Sequence, residues 1–434
     1  MACFLKAPAG DAKGCVVFTT PERDNFVRTS SVTRATLERL KKRYLIGLHH
    51  NWHDYSFRYD PLFDFSMAGD GDLIEADNAP FARIPLDACN FSPDFFLQPR
   101  AVEPFWDVLY VARAVAFKGI PELFAAIRAL YDTGHMYRVL FICPMQKKTE
   151  LPGISDLREH FEVTFSPKER QLFTLLTLDW DYPFPLDLET LSFFYRNSRI
   201  FLHPAPEERR CRTAAYAWAN GMPVVANEHV ASILPAVFHK PPYLFKYENP
   251  SDIADSLISA LQYGETTKSD WSTVSGEFSS IMSAEKVDKM LGEIAATSGR
   301  GPVSSHAVIP RGLDIRLGRH HLLAVGGNRL EYSIEEFCDV LTNTSDDILV
   351  KCLHEADPEI ALGQHVESIS RTVENGGSEQ VTDYTSASGA PRAFSSPRLG
   401  SSPPNAERTE LQRPREGWAF WTASRRWLGA KRKR

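Results

Sequence analysis

Arg199-Ile-Phe-Leu-His-Pro-Ala-Pro-Glu-Glu-Arg-Arg-Cys-Arg-Thr-Ala-Ala-Tyr-Ala-Trp-Ala-Asn-Gly-Met-Pro-Val-Val-Ala226 is the stretch that decides how this chain folds. Ile200–His203 is a short apolar run, and about 209–220 carries a helical pattern. Gly221-Met-Pro then breaks the helix ahead of a second strand, Pro223–Ala226. Strand, loop, helix and strand form the repeating unit of a parallel sheet. Glu208 stands at the mouth of the helix, and Arg209, Arg210 and Arg212 crowd its first turn. A helix start favours anions, so these arginines call for a phosphate or a carboxylate opposite them, or for a surface network with Glu207 and Glu208. An anion site here would lie at the end of a strand, where open α/β sheets bind ligands. His203, the last residue of the first strand, reads either as a ligand contact or as a satisfied structural histidine.

The same alternation extends in both directions. Asp107–Ala112, Val139–Cys143 and Gln171–Leu178 read as strands, and Phe161–Phe165 as a further candidate. Helices are expected over about 121–132, with Pro121 and Glu122 in the first turn and Gly134 past the end, and over Leu186–Arg196. Tyr243–Lys246 reads as the closing strand and Ser251–Tyr263 as the closing helix, with Ser251 as its N-cap. The fold class is therefore α/β, a Rossmann-type parallel sheet with helices on both faces.

Outside this core the pattern weakens. Residues 1–100 contain one clear strand, Tyr44–Leu48, and read as a reduced or divergent N-terminal region. The Rossmann-like domain is assigned to 101–298 and ends in a helical stretch with Val287, Met290, Leu291 and Ile294 on one face. Residues 299–365 read as a small α+β appendage, with Leu322–Val325 as a strand and Ser333–Leu341 as a helix. The remainder, 366–434, reads as a disordered tail, rich in Ser, Gly, Pro and Glu as far as about residue 412.

The bulk properties exclude several classes. With 434 residues, 43% hydrophobic and 24% charged, the composition is that of a soluble globular chain, and a net charge of −6 gives no reason to expect nucleic acid. Seven scattered cysteines without a C-x-x-C pair argue against both a disulfide framework and a zinc knuckle. Lys6, Asp11 and Lys13 interrupt any signal-peptide core, and no apolar run reaches the ~20 residues of a membrane span, so the expectation is cytoplasmic. The end of the chain is different. Trp418, Phe420, Trp421 and Trp427 mix with Arg425, Arg426 and Lys431-Arg-Lys-Arg434, a blend that suits a peripheral contact with an anionic membrane, a disordered terminus or a nuclear-type address.

Three segments in order resemble the C-terminal, donor-binding half of a retaining GT-B glycosyltransferase of the group 1 (family 4) class. Val108-Leu-Tyr-Val-Ala-Arg-Ala-Val-Ala-Phe-Lys-Gly-Ile is similar to the family's strand, Gly-Arg, loop and Lys-Gly signature. Glu208 through Gly221 to Val225 is similar to its Glu-x7-Glu helix followed by Cys-Gly-x-Pro-Val. Tyr243–Leu261 is similar to the closing strand and helix. The match spans about 106–265. Two positions depart from it: Tyr216 stands where the second glutamate would hold the nucleotide's ribose, and Ala112 where a glycine is usual.

The resemblance implies a glycosyltransferase that moves a sugar from a nucleoside-diphosphate sugar to a hydroxyl on a glycan, lipid-linked or small-molecule acceptor, with retention and without a metal cofactor. Arg113 and Lys118 would stabilise the leaving diphosphate, since fixed cations lower that barrier as charge builds. Glu208 would accept hydrogen bonds from the sugar, and Tyr216 would meet the nucleoside in place of the missing acid. His203, Arg209 and Arg212 join the expected substrate contacts. Each has a simpler reading: Arg113 and Lys118 as solvated loop cations, Glu208 as a partner of the helix dipole. The alternative at the level of the whole protein is a catalytically degenerate binding or scaffold protein; a sugar-nucleotide epimerase is a further option within the fold.

Two other motifs remain open. His49-His50-x-x-His53-Asp54 has a spacing that can bind zinc but no evident distant fourth ligand; His53 could also line the acceptor cleft, or the segment could be a polar, aromatic loop. Asp70-Gly-Asp72 and Asp179-Trp-Asp181 have the form of Asp-x-Asp metal motifs, a pattern that arises readily by chance.

Overall fold

The computed structural model describes residues 2–19, 31–49, 62–69, 82–98, 100–101, 103–144, 154, 156–178, 186–206, 208, 211–264, 271–313, 317, 334–355 and 361–362. Two sheets account for the strands among them. The first contains β1 (Ala2–Lys6), β2 (Gly14–Thr19), β3 (Tyr44–His49), β4 (Phe65–Met67) and β5 (Ala82–Ile84) in that spatial order; β1 and β2 are antiparallel and the other pairs parallel. Helix α1 (Ser31–Arg43) connects β2 to β3. The single strand expected in this region is thus one of five. Its neighbours escaped the pattern because β4 and β5 are three residues each.

The second sheet is wholly parallel. Its strands are β6 (Trp106–Val111), β7 (Val139–Pro144), β8 (Phe173–Leu178), β9 (Ser198–His203), β10 (Val224–Asn227) and β11 (Leu244–Tyr247), in the spatial order β11-β10-β9-β6-β7-β8. The chain moves outward from β6 to β8, then returns to the other side of β6 with β9 and moves outward again. The order reverses between β6 and β9, the position at which open parallel sheets form a ligand crevice between the loops leaving the carboxyl ends of the two strands. Helices α2 (Ile120–Asp132), α3 (Leu157–Thr164), α4 (Leu188–Arg196) and α5 (Arg212–Ala219) link these strands, and α6 (Ile253–Gly264) follows the last of them.

Each link has a local cause. Helix α2 opens on Gly119 with Pro121 in its first turn and buries Ile120, Leu123, Phe124, Ile127 and Leu130 along one face. Each large apolar side chain buried there contributes about 1.5–3 kcal/mol. Phe161–Phe165, read from the sequence as a strand, is helical: Asp156 caps α3 by accepting from the backbone N–H of Arg158 and Glu159. Phe161 and Phe165 are four apart, a helical spacing, and both rings pack on Phe124 with centroids 5.9 and 5.6 Å away. Ser251 is not the cap of the closing helix. Asn249 and Asp252 bond reciprocally around a single 3₁₀ turn, and α6 follows from Ile253.

The segment expected as an appendage belongs to the first sheet's core. Helices α9 (Ile334–Asn343) and α10 (Asp346–Leu353) bury Phe337, Cys338, Leu341, Leu349 and Leu353 with Phe4, Val16 and Ile46 on one face of that sheet. On the other face lies α8 (Ser280–Ser298), which follows α7 (Ser272–Glu277) and brings Ala284, Val287, Leu291 and Ile294 against Leu5, Val17 and Leu45. The helical stretch assigned to the second domain is therefore split, and its longer part packs on the first. Between the sheets, the 3₁₀ turn Ala88–Asn90 is tied to the α7–α8 corner. Asn90 Nδ2 donates to Glu277 O at 2.9 Å, and Ser283 Oγ donates to Asn90 O at 2.7 Å. No described helix is long and apolar enough to cross a membrane. The expected strand Leu322–Val325 and the tail 366–434 lie outside the described residues.

Candidate functional site

Four groups meet at the carboxyl ends of β6 and β9. Lys118 comes from the loop between β6 and α2; His203 ends β9; Glu208 lies in the following loop and Cys211 caps α5. Gly119 makes the approach of the two loops possible. Its φ is +68°, and a Cβ there would lie 2.4 Å from the carbonyl oxygen of Pro204. Only glycine combines that left-handed conformation with such close backbone contact. The buried Tyr110 of β6 donates its hydroxyl to the carbonyl of Lys118, which fixes the lysine's backbone to the strand.

The side chains form a connected row. Lys118 Nζ donates to Glu208 Oε1, with the two side chains 16% and 10% exposed. The other carboxylate oxygen, Oε2, lies 3.3 Å from His203 Nε2. That distance is close, yet its alignment is poor: neither atom has a hydrogen-bond partner among the described residues. On the far side of the ring, His203 Nδ1 is 3.4 Å from Cys211 Sγ, which also sits 3.0 Å from Thr213 Oγ1. Tyr247 OH donates to the carbonyl of His203 at 3.1 Å and completes its support.

Burial sets the protonation of this row. His203 is fully enclosed, and desolvation lowers its pKa to about 4, against the opposing pull of Glu208, so the imidazole is neutral at physiological pH. Burial and then the nearby carboxylate of Glu208 push the Cys211 thiol up to about 11, which keeps it protonated. The fixed charges are the ammonium of Lys118 and the carboxylate of Glu208, each compensating the other.

The remaining expected site residues fall into three groups. Arg113, on the same loop as Lys118, is exposed; its carbonyl accepts from Val115 N at 2.9 Å, and its side chain has no ion-pair or hydrogen-bond partner among the described residues. Arg212 is half-buried at the first position of α5. Tyr216 departs from its expected place against a nucleoside. It is 7% exposed, and its ring stacks on Phe96 with centroids 4.2 Å apart and planes 10° from parallel. Tyr195 meets it edge-on at 6.3 Å, so aromatic packing of the 3₁₀ turn Asp94–Leu97 onto α5 takes up the side chain. Arg209, Arg210, His50, His53 and both Asp-x-Asp motifs lie outside the described residues. His49 is buried at the end of β3, in the first sheet.

Sequence reasoning missed Cys211 and the contact between His203 and Glu208. The available signal was the spacing: His203, Glu208 and Cys211 leave one strand end within a single loop. Their donor atoms all lie within 4.8 Å of one another, a set that can hold a metal ion. A phosphate or sugar is the other chemistry the row can serve, through the ammonium and the carboxylate respectively.

No protein-family model and no curated protein matches the chain. Its fold is similar to that of several solved structures. These include the GtfA/B complex (TM-score 0.43, 13% identity, 62% of this chain and 56% of that one). Sucrose-phosphate synthase from Thermosynechococcus elongatus is similar at a TM-score of 0.36 and 20% identity over 54% of this chain and 59% of that one. A glycosyltransferase from Rickettsia africae is similar at 0.39 and 13% over 65% and 77%. The chain thus spans little more than half the length of the first two, and the likeness is one of fold.

Proposed function

We propose that this protein transfers a sugar from a nucleoside-diphosphate donor to a hydroxyl acceptor at the crevice between β6 and β9. The observation that carries the reading is the pairing of Lys118 with Glu208 across the two loops of the switch point, with Arg113 exposed on the first loop. Without donor, each charge satisfies the other, which avoids an unpaired buried ion. With donor, the diphosphate takes Lys118 and Arg113, and a sugar hydroxyl donates to Glu208.

As the bond from the anomeric carbon to the diphosphate oxygen breaks, negative charge grows on the leaving group. Arg113 and Lys118 are brought to the leaving group when the donor binds, so they stabilise that charge as it grows. The acceptor hydroxyl forms the new bond to the anomeric carbon and gives its proton to the departing diphosphate oxygen. The sequence resemblance gives retention of configuration as the expected outcome. Neutral His203 holds its Nε2 beside Glu208 and limits where the carboxylate can point. No metal enters this scheme. A glycan or lipid-linked acceptor at an anionic membrane, approached through 418–434, is consistent with the basic and aromatic end of the chain.

A second reading, a binding protein without turnover, has one observation in its favour: Tyr216 is packed on Phe96 at the position where the family's second acid would grip the ribose. A panel of nucleotide sugars separates the two. An enzyme hydrolyses or transfers from at least one donor and loses this with Arg113→Ala or Lys118→Ala. A binding protein shows saturable binding and no turnover with any donor or acceptor.

A further inference from the structure

We propose that His203, Glu208 and Cys211 form a binding site for a thiophilic divalent metal ion of the zinc class, and that Lys118 is the built-in competitor for it. The binding claim does not depend on the sugar-transfer reading. If that reading holds, metal occupancy blocks the donor's place by taking Glu208.

The donor set is one cysteine, one histidine and one carboxylate, a combination suited to Zn²⁺, and the thiol excludes hard cations such as Mg²⁺. Two of the donor atoms are unsatisfied. His203 Nε2 and Glu208 Oε2 are buried, lie 3.3 Å apart and have no hydrogen-bond partner among the described residues. Leaving buried polar atoms unpaired is costly, and a group between them would relieve both. The separation also fits. Two ligands held at about 2.0–2.1 Å in a tetrahedral shell lie about 3.3 Å apart.

Cys211 completes the set from the other side of the ring. Its sulfur now rests 3.4 Å from His203 Nδ1, with all three donor atoms within 4.8 Å. A metal held at Nε2 requires the thiol to leave the Nδ1 edge of the ring and come within the usual 2.3 Å bond length. The new bond is sulfur to metal; the bond that breaks is S–H, and its proton leaves to solvent. Lys118 holds its ammonium on the other carboxylate oxygen, Oε1. A metal on Oε2 would share the carboxylate with that ammonium, whose positive charge opposes the metal's binding.

The test uses Co²⁺ as a spectroscopic stand-in, with untagged full-length protein and Zn²⁺ competition. The wild type should bind one Co²⁺ with a thiolate-to-metal charge-transfer band in the near ultraviolet, and Zn²⁺ should abolish it. Cys211→Ser should remove the band and weaken binding at least about tenfold, and His203→Asn should do likewise. Lys118→Met should tighten binding several-fold, a direction that a structural role for these residues does not produce. Should the variants not fold, X-ray absorption on the zinc-loaded wild type still decides the matter, since the site demands one sulfur and two or three nitrogen or oxygen ligands. No charge-transfer band in the wild type, a band that survives Cys211→Ser, binding unchanged or weakened in Lys118→Met, or a zinc shell without sulfur would each overturn the proposal.

Discussion

Replacing Lys118 by methionine keeps most of the side chain's volume and removes its charge, leaving Glu208 ionised in a site where its side chain is only 10% exposed. A contact ion pair at an effective dielectric constant near 20 is worth roughly 5 kcal/mol of Coulomb energy, and removing one partner of a buried pair costs about 3–5 kcal/mol. Lys118 is itself 16% exposed, so water can reach the vacated side, and the lower end of that range, about 3 kcal/mol, is the expected loss. For a folding unit of this size each kcal/mol moves the melting midpoint by about 2–4 °C, so Lys118→Met should melt about 6–12 °C below the wild type. Adding Glu208→Gln removes the stranded charge, and the double variant should recover at least about half of the loss. Melting curves of the four proteins at low and high salt form the assay; a buried pair should keep its coupling as salt rises. If the losses of the two single variants add to within about 0.5 kcal/mol, the pair is not coupled and the charge-compensation argument is wrong.

His203 gives a pH dependence of defined sign. Its pKa is about 4 in the folded chain and 6.5 in the unfolded one, so as pH falls below 6.5 the unfolded chain takes up the proton first. Its contribution is complete above 6.5 and is lost progressively down to about 4; at pH 5 the loss is roughly 2 kcal/mol. The difference in melting midpoint between pH 7 and pH 5 should shrink by that amount in His203→Gln, and an unchanged difference would refute the buried neutral imidazole. Gly119→Ala places a methyl group 2.4 Å from the Pro204 carbonyl oxygen at a φ of +68°. It should cost more than about 2 kcal/mol and disturb the Lys118–Glu208 contact; a midpoint within about 2 °C of the wild type would show that the loops do not meet as described.

The alternating half of the chain was legible because parallel strands buried on both faces leave nearly continuous apolar runs such as Val108–Val111 and Val139–Cys143. Boundaries there shifted by a residue or two. Phe161–Phe165 misled because apolar residues at 161, 163 and 165 alternate as in a strand, although Val163 is exposed and Phe161 and the capping Phe165 meet the core at the end of a helix. The first sheet was largely hidden for a different reason. Its core is closed by α8, α9 and α10, supplied by residues 280–353, far away in sequence. No local pattern announces such a partner, although Cys15–Phe18, an unbroken apolar run, was a usable sign of β2. At the site, the motif order singled out Lys118 and Glu208 and the strand end singled out His203, while the burial of Tyr216 depended on Phe96, which lies outside every segment that carried the resemblance. Cys211 went unremarked because a thiol three residues beyond a glutamate has no meaning until the loop is folded.

Arg113 offers the most direct test, because it is exposed and without a described partner, so its removal should leave stability within about 0.5 kcal/mol. The measurement is ligand-observed binding of matched nucleoside diphosphates and monophosphates to the wild type and Arg113→Ala. A charge-assisted contact worth about 1.5–3 kcal/mol predicts that the wild type prefers the diphosphate by at least about tenfold, and that Arg113→Ala reduces this preference about tenfold or more at an unchanged melting midpoint. Equal affinity for the two nucleotides in the wild type, or a preference undiminished in Arg113→Ala, would contradict a diphosphate held by Arg113 in the crevice between β6 and β9.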